Sequence, residues 1–409
     1  MSPRRGMLFS AFEPSGDELA APVIRRLRDT HPDLHLWALG GPRMQQAGAE
    51  MIEMTAQHAA MLGDDLLPHL RRHVARLGQL KSFVARHDIV AHVPIDSPVL
   101  NWSICQMIRD RRPGARIAHL SAPQLWLWGS SRIGKLRRLT DHVLCLLPFE
   151  PAWFTRQGVR ATFVGHPLAP HTLTSEHHNL DQNDAEPMIQ VNETGHANVN
   201  MGASGESLTL GLLPGSREHE IRMNWPTMAR TANMLRRRFA DLCVTVAAAD
   251  ERAAQSIDAL SQKRRCDSQP FRVRVGQTGQ TLRGCDVALI AAGTATLQAA
   301  MLRTPMVAMY NLNWFRANLL IRPMTTSNTY ALPNMIAEAA GQPWVVPEFV
   351  PHSGDPRPLV EALTLLLAGT HRRAAQREAL RAITEPYEHV RFADAATQCV
   401  LQLAGYTTQ

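Results

Sequence analysis

Short apolar runs recur along the chain, separated by stretches whose apolar residues return at helical spacing. Met7–Phe12, Leu34–Leu39, Ile89–Ile95, Arg116–Leu120 and His142–Leu147 have the length and composition of buried strands, and helical segments lie between them. This alternation predicts βα units feeding a parallel sheet. From Thr174 to Leu208 the pattern stops, and Asn, Glu, His, Gly and Ser take over, as in a solvated linker. It resumes with candidate strands at Leu208–Leu213, Leu242–Ala248, Phe271–Val275, Asp286–Ala291 and Pro305–Met309. The fold class is therefore α/β, with an N-terminal parallel-sheet domain over 1–173, a linker or insertion over 174–207, and a second parallel-sheet domain over 208–387. The last helix, within 388–409, can pack back on the first domain. An interdomain cleft is expected, with ligands beyond the carboxyl ends of the strands.

A chain of 409 residues is too long for one ordinary core, which supports two domains. No stretch approaches the ~18 uninterrupted apolar residues of a membrane span. The basic start, Arg4-Arg5, is followed by an apolar run too short for a signal peptide and then by Glu13 and Asp17, so a cytoplasmic protein is expected. Six scattered cysteines without a CxxC pair imply a reduced compartment and no structural zinc. The net charge of +7 suits anionic partners: nucleic acid, anionic lipid or phosphorylated substrate. Nothing resembles a recognition helix, zinc finger or RNA-binding aromatic motif, so nucleic acid is set aside.

Six regions carry candidate chemistry. Pro214-Gly215-Ser216-Arg217 joins a strand to the helical segment Glu218–Leu235; the glycine lets a ligand approach, Ser216 would cap the helix, and Arg217 offers a fork for phosphate oxygens. An ordinary strand-to-helix turn has the same outline. Gly293-Thr294-Ala295-Thr296, with Gln298 one turn on, repeats the layout, and two such loops in one half suit a nucleotide diphosphate. In the first half, Glu13-Pro14-Ser15-Gly16-Asp17 leaves the first strand with two carboxylates, and Pro22 predicts a helix that starts or kinks near Ala21. Asp96 closes the run Ile89–Ile95 before Ser97-Pro98, a place for a cap or for a base that takes a proton from a hydroxyl. Finally, Leu66, Leu70, Val74, Leu77 and Val84 share a helical face with Arg71, Arg72, Arg76 and Lys81 around it, fit either to cover a sheet or to lie on an anionic membrane. Trp126 and Trp128, with Arg132 and Lys135 after them, could bind lipid or sugar or fill a core.

The order of these loops resembles the lipid A disaccharide synthases from about Met7 to Glu348. The resemblance rests on Glu13-Pro14-Ser15-Gly16-Asp17, Gly40-Gly41-Pro42-Arg43-Met44, Ile95-Asp96-Ser97-Pro98 with Asn101, Pro123 with Trp126 and Trp128, Leu147-Pro148-Phe149-Glu150, Gly165-His166-Pro167, Leu213-Pro214-Gly215-Ser216-Arg217, Gly293-Thr294-Ala295-Thr296-Leu297 and Leu332-Pro333-Asn334. It implies the GT-B architecture of two Rossmann-like domains and an inverting transfer, in which the 6-hydroxyl of 2,3-diacylglucosamine 1-phosphate attacks UDP-2,3-diacylglucosamine to give a β-1,6 disaccharide and UDP. It implies Asp96 as base, with Gly215, Ser216, Arg217, Gly293, Thr294, Ala295 and Gln298 around UDP. Glu13, Ser15, Gly16, Asp17, Asn101, Trp126, Trp128 and Arg132 fall on the acceptor side. No cofactor or metal is implied, since Arg217 and helix N-termini can carry the diphosphate charge. A peripheral place on the inner face of the cytoplasmic membrane is implied, with homodimerisation left open.

The chain departs from that pattern at Gln298, where the family carries Glu, and at Val99, Gly129 and Pro351; Asp64-Asp65 and Leu66 also differ. Two other readings of the same fold stay open here: a UDP-sugar isomerase of the 2-epimerase kind, which needs no acceptor, and a non-catalytic binder of sugar nucleotide or lipid.

Overall fold

The computed structural model describes residues 4–56, 66–127, 129–169, 207–263, 271–311 and 329–406, with the backbone alone over 66–75 and at Lys263. The expected linker over 174–206, together with Asp64, Asp65 and Trp128, lies outside them. The chain divides into two compact units, one running to Pro167 and taking up the chain again from Pro386, the other spanning Leu168–Glu385.

In the first unit β1 (Arg5–Ser10), β2 (His35–Gly40), β3 (Glu50–Met54), β4 (Asp88–Pro94), β5 (Arg116–Leu120), β6 (His142–Cys145) and β7 (Ala161–Phe163) form a parallel sheet in the order β3-β2-β1-β4-β5-β6-β7. In the second, β8 (Thr209–Leu213), β9 (Cys243–Ala248), β10 (Arg272–Val275), β11 (Val287–Ala291), β12 (Met306–Asn311) and β13 (Glu348–His352) form another in the order β10-β9-β8-β11-β12-β13. The central strands are buried on both faces, which is why they read as unbroken apolar runs. Helices cover each face of the first sheet, giving one core around Phe9, Ile24 and Val93 and another around Leu8, Trp37 and Ile117.

The ten candidate strands all form, within two residues of their expected ends. β3, β7 and β13 are additional, and each closes an edge of its sheet. Half-exposed edge strands need no continuous apolar run, and β13 even holds a proline, so periodicity gave no sign of them.

The helix does not start near Ala21: one helix runs from Pro14 to Thr30 with Pro22 inside it. Losing one backbone bond there costs about 3 kcal/mol. Burying Val23, Ile24 and Leu27 on the inner face at ~1.5–3 kcal/mol each outweighs it. The C-terminal helix Phe392–Leu403 lies along this same helix, buries Phe392 and Val400 in the first core, and pairs Asp394 with Arg26 at 2.6 Å. The returning chain passes so close to Gly165 (φ +78°) that a Cβ there would stand 2.8 Å from the carbonyl of Val390. That approach gives the Gly165-His166-Pro167 motif a structural reason.

Candidate functional site

Each sheet reverses its winding at one point, between β1 and β4 in the first unit and between β8 and β11 in the second. Helices leave to opposite faces on either side of such a point, and ligands settle at the opening beyond the carboxyl ends. The two loops beyond β1 and β4 carry Glu13 and Asp96. Those beyond β8 and β11 are Pro214–Arg217 and Ala292–Thr296. Glu13, Asp96 and the two donor loops therefore gather at the two switch points, whereas Trp126 and Arg132 follow β5.

Asp96 is half-buried and sits on an unusual backbone, with φ of +46° at Asp96 and +38° at Ser97. Two consecutive left-handed residues that are not glycine cost of order 1–3 kcal/mol each. The surrounding structure holds them there. The Asp96 amide donates to Leu120 O at 3.2 Å, and that of Ile95 to Ser10 O at 2.9 Å. From below, Asn101 Nδ2 donates to the carbonyls of Ile95 at 2.8 Å and Asp96 at 2.9 Å. His119 of β5, fully buried, lies against the Asp96 backbone, and burial holds its pKa down to about 4, so the ring is neutral.

Four of the residues expected on the acceptor side face inward instead. Asn101 is completely buried as the prop just described. Asp17 is also buried: its carboxylate accepts from the amides of Gly41 (2.9 Å), Arg43 (3.0 Å) and Met44 (2.9 Å), capping the helix Pro42–Gln46. That bond set ties the Glu13–Asp17 motif to the Gly40–Met44 motif. Gly16 is buried against Ala11 and Ile95. Trp126 is buried edge-on to Phe149 and donates from Nε1 to Glu150 Oε1 at 3.0 Å. Glu150 also accepts the amides of Leu146 and Leu147, and its burial raises the carboxyl to about pH 6. A motif match cannot tell which way a side chain points, and here each polar group is consumed by a neighbouring loop.

Glu13 stays half-exposed at the start of its helix and Ser15 is exposed beside it. Arg132 is half-buried in the turn Ser130–Arg132 and packs over Gly129. Of the basic helix Leu66–Arg86, the part whose side chains are described covers the sheet: Leu80 and Val84 are buried, and Arg76 grips Glu53 through two bonds of 2.8 and 2.6 Å while lying over the Phe12 ring.

In the second unit the loop after β8 differs from expectation in one respect. Ser216 does not cap the helix; the chain stays extended one residue longer, and Arg217 takes the cap position of Glu218–Arg238. Glu220 at the third helical position then reaches back, its Oε2 accepting the amides of Ser216 at 3.1 Å and Arg217 at 3.2 Å, as in a capping box. Its other oxygen lies 3.5 Å from Arg217 Nη1. Gly215, with φ +120°, makes this feasible, since a Cβ there would stand 2.7 Å from both the Cβ and Oε2 of Glu220. The loop thus holds an oxyanion already, supplied by its own chain. Tyr310 at the end of β12 stands near this carboxylate, and burial followed by that charge raises its phenol.

Beyond β11, Gly293 takes the cap position of Thr294–Met301, and no side chain caps that helix. Thr294 is exposed, whereas Thr296 turns inward and donates to Gly293 O at 2.7 Å. Ala295 and Gln298 are half-buried, the amide of Gln298 facing Gly279.

Sequence reasoning did not single out the polar frame behind the donor loops. Asn224, fully buried, donates to Pro214 O at 3.1 Å and accepts from Asn311 N at 2.9 Å; Asn311 Oδ1 meets His352 Nδ1 at 2.9 Å. Glu348 accepts from Thr329, from the amides of Tyr330 and Ala331, and from Asn334, whose own carbonyl takes the amides of Val345 and Val346. These bonds explain the Leu332-Pro333-Asn334 motif as a brace. Among the described residues no cluster of His, Cys, Asp and Glu is arranged to hold a metal ion, and no helix is long and apolar enough to cross a membrane.

Two parallel-sheet α/β units with their loops loaded at both switch points define the GT-B fold. Solved structures agree: the chain aligns over 98% of its length with a UDP-bound MnaA of S. aureus (TM-score 0.61, 10% identity, 96% of that chain) and with MurG of Acinetobacter baumannii (TM-score 0.55, 11% identity, all of that chain). The lipid-A-disaccharide synthetase family model matches residues 7–401. The chain is 32% identical over 377 residues to the lipid-A-disaccharide synthase of Chromohalobacter salexigens, covering 90% of this chain and 89% of that one. It is 31% identical over 386 residues to that of Azoarcus sp. BH72, covering 94% and 92%. The chain belongs to the lipid-A-disaccharide synthetase family and is a glycosyltransferase of lipid A biosynthesis.

Proposed function

We propose that this enzyme joins UDP-2,3-diacylglucosamine to 2,3-diacylglucosamine 1-phosphate, giving the β-1,6-linked disaccharide 1-phosphate and UDP with inversion at the anomeric carbon. The observation that carries the reading is Asp96, a half-buried carboxylate on a strained turn at the switch point of the first unit. In this reading Asp96 takes the proton of the acceptor's 6-hydroxyl as that oxygen attacks. Arg217, the amides of Ser216 and Arg217 once the diphosphate has displaced Glu220 from them, and the uncapped start of Thr294–Met301 meet the charge of the departing diphosphate. The step as proposed routes nothing through a metal ion or cofactor. Among the described residues, Glu13, Ser15 and Arg132 are the ones proposed to contact the acceptor. Gln298, where the family carries Glu, would hydrogen-bond the ribose through an amide.

The test is a turnover assay with purified enzyme. UDP should appear only when donor and acyl-sugar acceptor are both present, and the product should carry a β-linkage. Conversion of the UDP-sugar without acceptor would instead establish an isomerase and overturn the proposal. Since both substrates carry acyl chains, the enzyme is also proposed to work on the inner face of the cytoplasmic membrane. Co-sedimentation with phosphatidylglycerol vesicles that declines as salt rises is expected; recovery in the supernatant at all salt concentrations refutes it. Homodimerisation is read out by the sedimentation velocity of the same sample.

A further inference from the structure

Beneath Asp96 lies a line of four side chains, Cys105, His92, Ser10 and Asn101, each with no exposed surface. They come from three elements: Ser10 ends β1, His92 is in β4, and Asn101 and Cys105 sit four residues apart on one face of the helix Pro98–Arg111. Ser10 Oγ donates to Asn101 Oδ1 at 2.6 Å and lies 2.8 Å from His92 Nε2. A hydroxyl has one proton, and Ser10 spends it on Asn101. His92 must therefore donate from Nε2 to Ser10, which leaves Nδ1 as the acceptor. Nδ1 stands 3.8 Å from Cys105 Sγ, whose thiol supplies the remaining proton. Every donor runs in one direction, from Cys105 through His92 and Ser10 to Asn101, and Asn101 passes its two N–H groups to the carbonyls of Ile95 and Asp96. The protonation states this requires are the ones burial enforces: His92 is held down to about 3 and so neutral, and the Cys105 thiol is pushed up to about 12.

We infer that this buried chain is the device that aims Asp96, with Asn101 as its positioning residue. Neither touches a substrate. Resting on the reading of Asp96 as base, the inference gives the family motif residue Asn101 a role behind the base. The left-handed pair Asp96-Ser97 would relax toward ordinary backbone if the two carbonyls were released, and the carboxylate would swing from the line of the acceptor hydroxyl. Buried polar networks of this kind are useful when every member is satisfied, as here. Strain at a reactive residue then persists because its surroundings over-determine it.

The experiment is a double-mutant cycle on the full-length enzyme, read as kcat and KM for each substrate. Asn101→Ala should lower kcat about 10²-fold, the scale of an ångström's misplacement, with KM for both substrates within two-fold. Ser10→Ala, which leaves Asn101 in place but unanchored, should lower kcat by less. In an Asp96→Ala background, adding Asn101→Ala should change the residual rate by less than two-fold. Multiplied losses in that background would overturn the positioning role, as would an Asn101→Ala defect confined to KM. Full activity in Asp96→Ala alone would instead remove the base reading, so the two failures are distinguishable. UDP affinity, measured by calorimetry on every variant, reports on the second unit; loss of UDP binding in Ser10→Ala and Asn101→Ala alike would mark global unfolding and count against the inference.

Discussion

The two switch points hold their reactive groups by opposite means. Asp96 is propped from within the first unit by buried, neutral side chains whose hydrogen bonds run in one direction, and its backbone is strained. Arg217 is 63% exposed, and its loop is satisfied by Glu220, a charged group borrowed from the next helical turn. A base must point along one line, so rigidity is what its surroundings supply. A diphosphate site has only to present positive charge to an incoming anion, and it tolerates a looser frame provided that charge can be exchanged.

The contrast can be broken by substitution. The largest effect is expected at Asp96→Asn, which keeps the side chain's shape and removes the base: kcat should fall by ~10²–10⁴ while UDP affinity stays unchanged. A rate near that of the parent enzyme would end the assignment. Arg217→Ala removes a charge-assisted bond worth about 1.5–3 kcal/mol, and should weaken UDP binding at least ten-fold in titration calorimetry. If only kcat responds, the loop acts on the transition state rather than on the nucleotide.

Glu150 gives a change of similar size in stability. Its folded value of about 6 lies above the ordinary 4.5, so the folded state holds this proton more tightly than the unfolded chain. That advantage is complete below about pH 4.5 and is lost as the pH rises to about 6, an interval worth roughly 2 kcal/mol. Glu150→Gln should flatten urea-unfolding stability across this window; an unchanged slope would show that other groups set it. The smallest effect is expected at Glu220→Gln, which takes the resident negative charge from the donor loop. UDP should bind a few-fold more tightly, while thermal stability drops by about 1 kcal/mol from the weakened cap. Weaker UDP binding would make Glu220 a scaffold and not a rival of the phosphate.

The sequence pattern showed the strands that are buried on both faces, because burial on both faces is what produces an apolar run. It missed β3, β7 and β13, which are half-wet edges. The position of Asp96 and of Pro214–Arg217 was legible for a related reason, since both follow directly from the ends of such strands. The direction of a side chain was not legible. Asp17, Asn101 and Trp126 lie in the right motifs and face the wrong way for a substrate: Asp17 is claimed by the amides of Gly41, Arg43 and Met44, Asn101 by the carbonyls of Ile95 and Asp96, and Trp126 by the carboxylate of Glu150. A signal did exist. Ser10 and His92 are polar interruptions in central strands otherwise apolar, and a buried polar residue there needs a partner. Glu220, placed at the third helical position after a glycine loop, was open to the same reasoning.

The contact between Gly215 and Glu220 has a consequence for how sequences of this kind can drift. Any β-carbon at 215 would enter the space of the carboxylate, and without the carboxylate the loop's amides would turn to solvent. The two positions are therefore coupled in one direction. Replacement at 220 can come first with the donor retained, whereas a side chain at 215 meets both Glu220 and a left-handed backbone of φ +120°.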